Sequence, residues 1–201
     1  MNEFGSKILT GAIGAVIALY LKYYYDKNEE CKRLNYISKT LIVILKNNIL
    51  PQLELYIDAC DSIQKDLQTN IYKMINKGSD FNGLDIDFIS YLGKDDVMKI
   101  FVKQKLDISK LVDLQLSLKR IVVNPPNAVT NNLFLTIDKI SQRHKEFIET
   151  TENKEYIKNA EKTMKIDNGR ALDTAIDNLE LYKKFANKQI DTITELISLL
   201  P

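Results

Sequence analysis

Residues 172–200 read LDTAIDNLELYKKFANKQIDTITELISLL. Leu172, Ile176, Leu179, Ala186, Ile190, Ile193, Ile197 and Leu200 follow one another at steps of three, four or seven. That spacing draws one face of an α-helix and does not fit a strand, whose faces alternate every two residues. The stretch contains no glycine and no proline. A stripe this long is stable only when covered, either by the chain's own core or by another protein. The chain's own bundle is the expected cover; Leu172, Ile176, Leu179, Ile190, Ile193 and Ile197 form the candidate partner surface in the competing case.

The same period recurs upstream. Leu34, Ile37, Leu41, Ile44 and Leu45 form one stripe, with Asn47, Asn48 and Pro51 marking a break or kink. Leu53, Tyr56, Ile57, Cys60, Ile63, Leu67, Ile71, Met74 and Ile75 form the next, stopped at Gly78. Asp85 is placed to cap a short helix over 86–92 that Gly93 ends. From Asp95 or Asp96 one long helix is expected through Val97, Ile100, Phe101, Leu111, Leu114, Leu118 and Val122. It ends at Asn124-Pro125-Pro126-Asn127. A further helix starts near Ala128 and carries Leu133, Phe134, Ile137, Ile140, His144, Phe147 and Ile148. The polar run 149–155 weakens the pattern, Tyr156, Ile157, Ala160 and Met164 resume it, and Asn168-Gly169 reads as a stop.

Only 7 glycines and 4 prolines occur in 201 residues, too little turn chemistry for a β-fold. The expectation is an all-α protein: an N-terminal membrane-anchor helix (1–27) followed by an antiparallel bundle of about four long helices (28–201). Heptad-like spacing also allows coiled-coil pairing between chains.

The anchor rests on residues 8–21, ILTGAIGAVIALYL, which carry no charge. As a helix, Ile8–Tyr25 spans about 27 Å, close to a bilayer core of about 30 Å. Ile8, Leu9, Gly11, Gly14, Ala15, Ala18 and Leu21 would lie in the hydrocarbon. Lys22 would snorkel, and Tyr23, Tyr24 and Tyr25 would sit at the interface. A cleaved signal peptide fits less well, because no small-residue cleavage site follows Leu21. Fourteen uncharged residues also suit an interfacial or buried helix. Lys22, Lys27, Lys32 and Arg33 follow the span and only Lys7 precedes it, so the body is expected in the cytoplasm. The small-residue pairs Gly11/Ala15 and Gly14/Ala18 suit close helix approach, hence homo-oligomerisation.

Net charge is +1, from 28 basic and 27 acidic residues, which gives no reason to expect nucleic acid as a partner. Lys99, Lys103, Lys110 and Lys119 read as a solvated helix face, with anionic lipid headgroups as the lesser reading. Cys31 and Cys60 lack metal or redox spacing. The aspartate-rich stretch 78–96 fails as an EF-hand: with Gly83 at position six, Gly78 and Ile89 fall where carboxylates are needed. His144 is the single histidine and has no companion ligands. There is no phosphate loop, no GxGxxG and no nucleophile elbow. No catalytic, cofactor or metal residue is assigned.

One membrane helix followed by a helical body is loosely similar to the sensor modules of bacterial chemoreceptors. The second membrane helix and the signalling region are not legible here and the orientation signal is opposite, so nothing is carried over. The expected function is that of a non-enzymatic, membrane-anchored helical scaffold acting within a larger complex. The alternative is an extracytoplasmic bundle that binds a ligand or partner, sensor-like or as a lysis accessory.

Overall fold

The computed structural model describes residues 3–69, Leu84, Ile86 and 88–200, with side chains described from residue 15 onward. Every regular element among them is helical. These are α1 (Glu3–Ile44), a π-helical turn (Leu45–Ile49), α2 (Leu50–Thr69), α3 (Phe88–Leu92), α4 (Lys94–Lys103), α5 (Ile108–Val123), α6 (Pro126–Glu149) and α7 (Lys154–Leu199). The expected stop at Gly78 lies outside the described residues.

Helices α1 and α2 form one path joined by the π turn. Pro51 explains the wide turn. A proline in a regular helix collides with the carbonyl four residues back, here that of Asn47, and a π turn relieves the clash. Leu45 and Ile49 stay fully buried through it. The kink expected at Asn47, Asn48 and Pro51 is thus an extra-wide turn, and the apolar stripe crosses it.

Four columns make the bundle. The first is α1–α2. The second is α7, which packs along α2 and α6. Lys183 meets Asp61 and the Tyr56 and Tyr182 rings lie 6.5 Å apart, while Glu195 meets Lys110 at the start of α5. These points set α7 antiparallel to α1–α2. The third column is α5 followed by α6, bent at Asn124-Pro125. There the Tyr56 hydroxyl donates to the Asn124 carbonyl at 2.8 Å. The fourth, α3–α4, packs on α1, and α4 also meets α5.

One core runs through all four columns. It joins Leu41, Leu53, Leu67, Phe88, Phe101, Leu114, Leu118, Leu179 and Ile193, each at or near complete burial. A fully buried Leu or Phe stabilises by roughly 1.5–3 kcal/mol, so this continuous stripe holds the helices together.

Two expectations are corrected. The helix expected from Asp95 through Val122 is two helices. α4 ends with the Leu106 amide donating to the Phe101 carbonyl at 2.9 Å, and Asp107 caps α5 by accepting from the Ser109 amide at 2.9 Å. Nor do Asn168 and Gly169 stop a helix: α7 passes through both without a break. The true break is at 150–153, where Asn153 accepts from the Glu155 amide and caps α7.

Beyond the level of residue 69, α6 and α7 continue as a helical hairpin closed at 150–153. His144 faces Asp167 across it. At the opposite pole, α1 projects from the bundle.

Candidate membrane anchor and interaction surfaces

Every residue from Ala15 to Glu30 is exposed. Val16, Ile17, Leu19, Tyr20, Leu21, Tyr23, Tyr24 and Tyr25 are among them, at 53–68 %. On a helix of 3.6 residues per turn these positions cover about two thirds of the circumference, and the remaining sector holds Ala15, Ala18 and Lys22. The Lys27 ammonium sits 6.0 Å from the centre of the Tyr23 ring, a cation–π distance. The side chains of Ile8, Leu9, Gly11 and Gly14 lie outside the described residues, so neither small-residue pair is complete among them. Among the described residues, no helix is long and apolar enough to cross a membrane; the side chains of residues 8–14, the first half of the expected span, fall outside that statement.

The projection enters the bundle at Cys31–Leu34. Glu30 pairs with Lys99 at 2.9 Å and Arg33 with Asp96 at 2.7 Å, while Lys103 Nζ approaches Cys31 Sγ at 3.5 Å. Lys99 holds the Glu30 carboxyl below its ordinary pKa by hydrogen bond and charge. Lys99 and Lys110 are thus tied up by Glu30 and Glu195. The basic face expected along one helix is instead divided between α4 and α5.

Of the candidate partner surface, Leu179 and Ile193 are fully buried, and Leu172, Ile176, Ile190 and Ile197 are partly buried against the same core. The stripe therefore points into the chain's own bundle. Outward-facing apolar residues lie elsewhere, as on α5 at Val112, Leu116 and Val123. Their spacing of four and seven puts them on one side of the helix, a row masked in the sequence by the stronger inward stripe.

His144 lies in the distal hairpin, its Nε2 3.7 Å from Asp167 Oδ2. It borders an open groove of about 370 Å³ with Arg143, Phe147, Tyr156, Asn159, Ala160 and Thr163. Among the described residues no group of three His, Cys, Asp or Glu side chains is placed to hold a metal; most of the 78–87 stretch is outside them. Cys60 is buried beside Tyr56, and burial, with the charge of Asp61, pushes its thiol up to about 12. A thiol so held is not a nucleophile at neutral pH. Cys31 is partly exposed and free. No family model, no curated protein and no solved structure matches this chain.

Proposed function

We propose that this protein is a non-enzymatic, membrane-anchored helical scaffold whose body, residues 28–201, lies in the cytoplasm and acts within a larger complex. One observation supports the reading: from Ala15 to Tyr25 the projecting helix carries apolar side chains on all of its circumference except at Lys22, and every residue of it is exposed. Such a surface is costly in water and suits a lipid environment. The uncharged run begins at Ile8, and the lysine and tyrosines after Leu21 are the groups that favour the membrane–water boundary. The outer row Val112, Leu116 and Val123 gives the scaffold a face for a partner helix. Self-association through Gly11/Ala15 and Gly14/Ala18 is part of the proposal.

Topology tests it. A fluorescent protein fused after Pro201 is expected to glow in the membrane fraction, while alkaline phosphatase at the same place stays inactive. Active phosphatase would place the body outside and replace the scaffold by an exported binding bundle.

A further inference from the structure

Helix α4 runs antiparallel to α1: Asp96 meets Arg33 and, one turn on, Lys99 meets Glu30. Four residues further, Lys103 comes level with the start of the bundle, its amine beside Cys31. The chain then reverses through Gln104, Lys105, Leu106 and Asp107 into α5. Lys103 places this turn at the end of the bundle from which α1 projects. Its contact on α1, Cys31, lies about 9 Å of helical rise past Tyr25, close to the screening length of about 8 Å at physiological salt.

The charges here are unevenly matched. Lys32 pairs with Glu29, Arg33 with Asp96 and Lys99 with Glu30. Lys103 shares the Glu30 carboxylate with Lys99, and among the described residues of this end Lys22, Lys27 and Lys105 remain, opposed by Asp26 and by Asp107, which is engaged in capping Ser109. Lys105 adopts φ 55, a left-handed position that glycine or asparagine fills at little cost and lysine does not. Val102, 66 % exposed, adds an apolar side chain to the same turn.

We infer that the α4–α5 turn is a second foothold on the membrane, with Lys103 and Lys105 binding the anionic phospholipid headgroups of the leaflet from which α1 emerges. The inference rests on the anchor reading. Lysines at this height gain from the negative surface potential of a cytoplasmic leaflet, and two attachments fix the tilt of the body where one helix alone leaves it free to swing.

The test uses the full chain carrying Cys31→Ser and Gln104→Cys, labelled with a small fluorophore at residue 104. It is reconstituted into vesicles of phosphatidylcholine alone or with about 30 % phosphatidylglycerol, each containing a trace of headgroup-nitroxide lipid. Quenching is expected to be at least about twofold stronger in the anionic vesicles and to weaken at about 0.5 M salt. Lys103→Glu with Lys105→Glu should lower it to the phosphatidylcholine value while circular dichroism stays unchanged. A label at Thr151→Cys, in the distal hairpin turn, should stay unquenched throughout. Equal quenching in both vesicles, or quenching indifferent to charge reversal, overturns the foothold and leaves the anchor standing. A chain that floats with neither vesicle rejects the anchor and the foothold with it.

Discussion

Lys183 Nζ lies 2.8 Å from Asp61 Oδ1 and 2.7 Å from Glu180 Oε2, fastening α7 to α2 across 122 positions of sequence. The lysine is mostly covered and Asp61 is mostly in water, so the bond is a weak one. Lys183→Met is expected to cost about 1 kcal/mol or less, read as a small shift of the urea midpoint with an unchanged slope.

Alkali should unfold the protein through groups next to that bond. Cys60 is held at about 12, first by burial and then by the charge of Asp61. An unfolded thiol ionises near 8.5. Between those values the unfolded chain holds fewer protons than the folded one, so stability falls as pH rises. Tyr56 is raised by burial, and Lys183 by its bonds to Asp61 and Glu180. Both are raised in the folded state and act with the same sign. Urea melts at about pH 8 and 11 should show the loss, and Cys60→Ala should shrink the difference between the two pH values.

Core truncations separate a self-contained bundle from a partner-dependent stripe. Leu179→Ala and Ile193→Ala, at fully buried positions, should each cost about 2–5 kcal/mol. Leu181→Ala, 60 % exposed on the same helix, should cost less than about 0.5 kcal/mol. Negligible losses at all three positions would mean that the stripe serves another protein.

The α4–α5 turn offers two opposite changes. Asp107→Ala removes the cap on Ser109 and should cost about 1 kcal/mol. Lys105→Gly relieves a left-handed lysine and should gain about 0.5–1 kcal/mol. Thermal melts of the two variants should move in opposite directions.

Metal removal should do nothing. A chelator is expected to leave the melting temperature unchanged. A drop of several degrees would reveal ligands, with the aspartates of 80–96 the first to examine.

Long apolar stripes were legible because period alone defines them: Leu179 and Ile193 fall in the core where the spacing put them. Short signals were less reliable. Asn168-Gly169 reads as a stop, yet a glycine inside a helix costs only about 1 kcal/mol. Packing of Ala160 on one side and Ala175 on the other outweighs it. The break at 104–107 was hidden for the reverse reason, since Lys105 takes a left-handed turn that its side chain does not advertise. Pairings such as Glu30–Lys99 come from the meeting of distant elements, which no local pattern encodes. The uncharged run 8–21 is plain in the sequence, and the exposure of residues 15–25 on the projecting helix became visible only in three dimensions.

Membrane attachment is the central claim, and alkaline extraction of membranes from cells expressing the full chain tests it most directly. The account predicts that the full chain stays in the carbonate-washed pellet and is released only by detergent. Residues 28–201 alone should appear in the soluble fraction with a helical circular-dichroism spectrum. A full chain recovered in the soluble fraction without detergent would contradict it.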